Sequence, residues 1–209
     1  MSDHKFRLGV LVSGRGTNLQ ALIDSIEREE LTAEIAIVIS DRENALALER
    51  CRKYAIHSIF LDRKSHKDKK DFEQVIVGHL QDRSVDLVCL AGFMRILGST
   101  LFQPFAGRII NIHPSLLPAF PGLAAQKQAL EHGVKVAGCT VHFVEEEIDS
   151  GPIIIQATVP VHDDDDVESL SERILKEEHR IYPEAVQAII ENRLVISGRK
   201  VIRGNNTRP

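Results

Sequence analysis

The sequence predicts an α/β fold: a Rossmann-like, mostly parallel sheet with helices on both faces and antiparallel additions in the C-terminal half. Three observations lead there. Short apolar runs alternate with helical patterns through the first half of the chain, which is how parallel strands joined by crossover helices read. Those runs are continuous rather than alternating, as strands covered on both faces should be. Further on, two apolar runs at 139–144 and 153–159 follow one another closely, which favours an antiparallel pair.

Taken in order, strands are expected at 8–12, 35–39, 58–61 and 87–90, each a short apolar run bounded by polar or glycine residues. Helices are expected between them at 18–28, 45–54 and 70–81, where apolar residues recur with helical spacing. A further strand at 109–112 runs into Asn111-Ile112-His113-Pro114, where Pro114 biases His113 toward extended geometry and ends the strand. A long helix is expected over 167–191. Ser197-Gly198-Arg199, between 194–196 and 200–202, reads as a hairpin turn, and 204–209 reads as a frayed tail. No linker or internal repeat interrupts this plan. The 209 residues, 43% of them hydrophobic, suffice for one substantial core, so a single domain over 1–209 is expected.

Composition narrows the function. A formal charge of −4, a pI near 6.1 and scattered lysine and arginine leave no basic stripe for a nucleic-acid backbone. Cys51, Cys89 and Cys139 are odd in number and form neither a CxxC pair nor a disulfide pattern, which fits a reducing cytoplasm. Residues 1–6 lack the apolar core of a secretory signal, and no run is long enough to cross a membrane.

Four constellations carry candidate chemistry. Ser13-Gly14-Arg15-Gly16-Thr17-Asn18-Leu19 is a glycine-bearing loop feeding a helix, whose free N–H groups and positive dipole end suit a phosphate. The bland reading is a tight turn capped by Thr17 or Asn18. A dinucleotide fingerprint would need a third glycine where Leu19 stands, although Asp41 follows the second strand as a ribose-binding acid would; a small phosphorylated substrate fits better.

Asn111 and His113, two apart on an extended segment, share a face and set an amide donor beside an imidazole, an arrangement suited to a developing oxyanion. Asp149, ahead of Ser150-Gly151-Pro152, would hold that imidazole protonated and oriented if the fold brings it near. Otherwise the first two are a strand-end pair and Asp149 a turn residue. In the third constellation, Ala91-Gly92-Phe93-Met94-Arg95-Ile96-Leu97, Gly92 permits a sharp exit from the sheet. Met94, Ile96 and Leu97 either line a slot for a flat heteroaromatic ring or belong to the core. The fourth, Asp163-Asp164-Asp165-Asp166, reads as a solvated loop ending in a helix cap at Asp166, with a cation site as the alternative. The nine histidines are dispersed with no ligand spacing, so no metal is expected.

Together these residues resemble the phosphoribosylglycinamide formyltransferase family over nearly the whole chain. The motifs 13–19, 91–97, 111–118, His142-Phe143-Val144 and 149–152 occur in the family's order. The resemblance implies a catalytic trio of Asn111, His113 and Asp149. It also implies that Gly16, Thr17 and Asn18 hold a ribose phosphate, that Glu178 contacts the glycinamide ribotide, and that Met94, Arg95, Ile96, Leu97, Asn111 and Val144 hold the pterin of 10-formyltetrahydrofolate. The phosphate half would span about 1–105 and the folate and catalytic half about 106–195, followed by the hairpin and tail. The reaction implied is formyl transfer to the ribotide amine, without metal or covalent intermediate, by a cytoplasmic monomer or homodimer acting on small molecules. A formyltetrahydrofolate hydrolase, or a formyltransferase with another amine acceptor, is the alternative. The sequence departs from the family at Lys69, where an arginine is usual, which keeps the charge for a folate carboxylate but loses bidentate geometry. It departs again at Ala124, where a histidine is frequent.

Overall fold

The computed structural model describes residues 5–204, and the chain forms two compact units, Met1–Ile110 and Asn111–Pro209. The tail expected at 204–209 lies, beyond Gly204, outside the described residues. No helix among the described residues is long and apolar enough to cross a membrane.

In the first unit the strands are β1 (Phe6–Val12), β2 (Ala33–Ser40), β3 (Ser58–Phe60) and β4 (Leu87–Leu90), and the helices are α1 (Thr17–Glu27), α2 (Leu46–Lys53), α3 (Lys69–Asp82) and the short α4 (Ser99–Phe102). β1 lies between β2 and β4, β3 pairs with the far side of β2, and these pairings are parallel. The reason is burial: Leu8, Val10, Leu11 and Val12 of β1 have no exposed surface, each contributing about 1.5–3 kcal/mol on transfer from water. Helix α1 presents Leu19, Leu22 and Ile23 inward, at most 3% exposed, on the stripe that i, i+3, i+4 spacing produces.

The turn from β1 into α1 depends on Gly16. Its φ is 68°, and a Cβ there would stand 2.6 Å from the Ala47 Cβ, at the start of α2. Gly16 is the N-cap of α1, with no side-chain cap, so neither Thr17 nor Asn18 caps the helix as the bland reading expected.

The strand β5 (Ile109–His113) carries the division between the units. The second unit continues with α5 (Ala125–His132), β6 (Val136–Phe143), β7 (Ile153–Pro160), α6 (Val167–Ile190), β8 (Leu194–Ser197) and β9 (Lys200–Arg203). β6 and β7 are antiparallel, β7 and β9 parallel, and β8 and β9 close the hairpin. The antiparallel addition falls in the C-terminal half, as the closely spaced apolar runs required. In β7, Ala157 and Val159 are buried while Gln156, Thr158 and Pro160 are exposed, the period of two of a strand covered on one face.

Three elements lay outside the sequence expectations: a 3₁₀ turn at Arg63–Ser65, α4 and α5. All are short and bury little, and α5 encloses only Ala125 and Ala129. The aspartate run also differs in part. Asp166 caps α6 through the Ser169 N–H, as expected. Asp165, however, has a side chain only 3% exposed and grips Arg173 through two hydrogen bonds of 2.7 and 2.8 Å. Those bonds hold its carboxyl well below the usual range. The run is therefore a helix-start clamp rather than a wholly solvated loop.

Candidate active site

The second unit gathers Asn111, His113 and Asp149. Asn111 and His113 stand two residues apart on β5, on one face of the strand. Asp149 enters from the turn after β6, at φ 51°, a left-handed conformation that aspartate tolerates better than most residues. Its Oδ2 lies 3.3 Å from His113 Nδ1, and its Oδ1 lies 3.5 Å from Asn111 Nδ2. The Gly122 N–H also donates to Oδ2, at 2.8 Å.

The ring of His113 is 5% exposed and meets oxygen acceptors on both sides. Nδ1 faces the Asp149 carboxylate, and Nε2 lies 3.0 Å from the Phe120 carbonyl oxygen. A carbonyl cannot donate, so Nε2 carries a hydrogen; with a carboxylate on the other side, both nitrogens are satisfied as donors only in the imidazolium form. The same carbonyl occupies the Nε2–H, so donation to a substrate oxygen requires that hydrogen bond to open.

Asp149 is correspondingly acidic. Burial would push its carboxyl up, but the contacts with His142, the Gly122 N–H and the charge available on His113 together hold it below the ordinary value. An ionised carboxylate beside an imidazolium suits stabilisation of charge that develops during reaction.

His142, Gly122 and Phe120 were missed as members of this cluster. His142 lies on β6, 1% exposed, with Nε2 3.3 Å from Asn111 Nδ2. A histidine inside an apolar strand carries no spacing that reveals its partner. Gly122 and Phe120 act through backbone atoms, which no side-chain pattern announces. Val144 follows β6 directly, and Glu178 is buried on α6. Glu178 also raises the Cys139 thiol, which burial chiefly pushes up to about 12.

In the first unit, two sequence constellations come together through Ser13. Its N–H donates to the Gly92 carbonyl at 3.1 Å, and its Oγ accepts from the Met94 N–H at 2.9 Å. Thr17 is half-buried and Asn18 buried at the start of α1. Met94 and Ile96 are 64% and 61% exposed while Leu97 is 7% exposed, so two large apolar side chains are open to a flat partner. Arg95 pairs with the buried Asp41 at 2.6 Å and lies over the Phe72 ring; Asp41, read from sequence as a possible ribose ligand, thus holds an arginine. Lys69 is exposed and stands 3.8 Å from Glu73. Glu73 in turn accepts from the Gly98 N–H at 2.7 Å, and burial raises its carboxyl above the ordinary value.

Comparison with known proteins gives the family. The formyl transferase family model matches residues 6–186. The phosphoribosylglycinamide formyltransferase of Bacillus subtilis is 42% identical over 184 residues, covering 88% of this chain and 94% of that protein. The trifunctional purine biosynthetic protein adenosine-3 of Drosophila melanogaster is 44% identical over 94% of this chain, but the chain spans only 15% of that much longer relative. The crystal structure of glycinamide ribonucleotide transformylase 1 from Symbiobacterium toebii superposes with a TM-score of 0.95 at 53% identity, covering 97% of this chain and 95% of that one. Agreement at this identity along almost the full length of single-activity relatives extends well beyond a shared fold, and the chain belongs to the phosphoribosylglycinamide formyltransferase family.

Proposed function

We propose that this chain transfers the formyl group of 10-formyltetrahydrofolate to the amine of 5-phosphoribosylglycinamide, giving the N-formyl ribotide in de novo purine biosynthesis. The family draws its formyl group from 10-formyltetrahydrofolate, and the observation that carries the reading is the Asn111, His113 and Asp149 cluster. As the amine attacks the formyl carbon, negative charge grows on the formyl oxygen and positive charge on the nitrogen. His113, with the Asp149 carboxylate at its Nδ1, stabilises the oxygen through Nε2–H once the Phe120 carbonyl withdraws from Nε2. Asp149, or a water beside it, relays the amine proton toward the departing folate nitrogen.

In this reading the uncapped start of α1, with Gly16, Thr17 and Asn18, holds the ribose phosphate, and Glu178 contacts the ribotide. Met94, Arg95, Ile96, Leu97, Asn111 and Val144 receive the pterin, and the exposure of Met94 and Ile96 supports an apolar partner there. Lys69 meets the folate carboxylate as a point charge. The chain works as a single cytoplasmic formyltransferase domain, as a monomer or homodimer. The test is an assay with 10-formyltetrahydrofolate and the ribotide, with water and free amino sugars as competing acceptors. Formylated ribotide is expected as the dominant product. Formate release without ribotide formylation would replace this reading by a hydrolase.

A further inference from the structure

The chain between His113 and Gly122 returns two backbone groups to the site, the Phe120 carbonyl at His113 Nε2 and the Gly122 N–H at Asp149 Oδ2. Its attachment to the sheet lies elsewhere, at Thr140 on β6 and Gln156 on β7, which stand opposite each other in the antiparallel pair and so share a face. Thr140 has no exposed surface. Its Oγ1 accepts from the Leu117 N–H at 3.1 Å and donates to the Ser115 carbonyl at 2.6 Å. A hydroxyl has one hydrogen, and the Ser115 carbonyl can only accept, so that hydrogen is committed there. Gln156 must then be the donor in its 2.9 Å contact with Thr140 Oγ1. The Leu117 carbonyl, 2.9 Å from the same amide nitrogen, gives the same answer, since it too only accepts. The amide therefore has one orientation, with both N–H groups turned to the segment. Other bonds of this stretch, from Ser115 Oγ to the Ala119 carbonyl and from the Ala119 N–H to the Leu116 carbonyl, close it on itself and do not fasten it to a strand.

We infer that Gln156 is a positioning residue: from the exposed face of β7 its amide pins Leu117 directly and Ser115 through Thr140, and so fixes where the segment bearing the Phe120 carbonyl and the Gly122 N–H leaves the sheet. The inference rests on the formyl-transfer reading, in which the Phe120 carbonyl withdraws from His113 Nε2 before the imidazole serves the oxyanion. With Leu117 pinned, that movement belongs to residues 118–122 and starts from a fixed point. Without the pin, Ser115 and Leu117 shift as well. His113, two residues before Ser115 and 3.3 Å from Asp149, then loses its alignment. A misplacement of about 1 Å is enough to slow a reaction on the order of a hundredfold. The sequence gives no hint of this, because a polar residue at an outward strand position reads as solvated.

Two measurements on the full-length protein test this. Amide hydrogen exchange, without ligand, compares Gln156→Leu, which keeps the bulk but has no donor, with the unmodified chain. Exchange at Leu117 and Gly122 should quicken by about tenfold or more, the order expected when a local hydrogen bond is lost, while Cys139 and Val141 on β6 keep their rates. Unchanged rates at Leu117 and Gly122, or an equal rise along β6, overturn the inference. Kinetics then separate the donor from its shape. Gln156→Leu, and Gln156→Glu with a carboxylate in place of the amide, should each lower kcat by about tenfold with the ribotide KM within about twofold. Gln156→Lys, whose ammonium can donate to both acceptors, should recover most of that loss. Near-normal kcat in Gln156→Glu, a loss confined to KM, or a lysine variant no better than the leucine one overturns the positioning role. Absence of formyl transfer by the unmodified protein would instead overturn the functional reading, and the exchange result would still decide whether the anchor exists.

Discussion

Asp149→Asn is expected to lower kcat by on the order of a hundredfold or more, in line with the loss of transition-state charge stabilisation, while ribotide binding is largely retained. The substitution preserves shape, so its effect isolates charge and hydrogen-bond direction. In the native site Oδ2 accepts from the Gly122 N–H and faces His113 Nδ1, while Oδ1 faces the Asn111 amide nitrogen. An asparagine has one accepting end and one donating end. Whichever way it turns, its NH2 meets a donor, and the carboxylate charge facing His113 Nδ1 is gone. Turnover under saturating ribotide, with the dissociation constant measured by calorimetry, checks the expectation; near-normal kcat would remove Asp149 from the mechanism.

The same carboxylate sets a pH dependence whose sign follows from its lowered pKa. A carboxyl depressed in the folded state contributes stability that is fully present above its unfolded value and is lost as pH falls through the folded value. Folding and turnover should therefore keep the Asp149 contribution through the ordinary carboxylate range and lose it only below that range. Asp149→Asn should flatten that acidic limb of the stability profile.

The second large effect is expected from Gly151→Ala. A Cβ at 151 would stand 1.8 Å from the Phe143 carbonyl oxygen, and no rotamer relieves a clash with backbone. That oxygen also faces His142 Nδ1, while the Phe143 N–H is bonded to the Pro152 carbonyl. Relief must displace the turn bearing Asp149 or the end of β6 bearing His142. We expect destabilisation of about 1–3 kcal/mol or more in urea unfolding together with at least a tenfold fall in kcat. Gly78→Ala is the control: a Cβ in that α3 position meets nothing within 4 Å, and alanine should stabilise the helix by about 0.5–1 kcal/mol. Equal behaviour of the two variants would show that the Gly151 contact relaxes at no cost.

Much of the fold was written in local pattern. The strands β1 to β4 and their helices were legible because a parallel sheet buries continuous apolar runs, and a crossover helix must show a 3.6-residue stripe. The N-terminal cap of α6 was legible because a capping aspartate works through neighbours three residues away. Asn111 and His113 were legible as a pair because a strand puts alternate residues on one face. The helix α5 was not, since Ala124 caps it without a side-chain bond and only two small alanines mark its inner side.

What the tertiary structure alone decided is which groups meet. Asp149 reaches His113 across 36 positions of chain, from a left-handed position in the turn between β6 and β7 to the end of β5. The resemblance to a family could name Asp149, but it could not supply the backbone partners at Phe120 and Gly122. His142 shows the limit most clearly: an apolar strand announces that the residue is buried, yet its neighbours, the Phe143 carbonyl oxygen at 2.8 Å and Asn111 Nδ2 at 3.3 Å, are set by the fold. Sequence encodes periodic burial through short-range geometry. Hydrogen-bond partners follow from donors and acceptors brought within about 3.5 Å by distant segments, and those distances exist only in the folded chain.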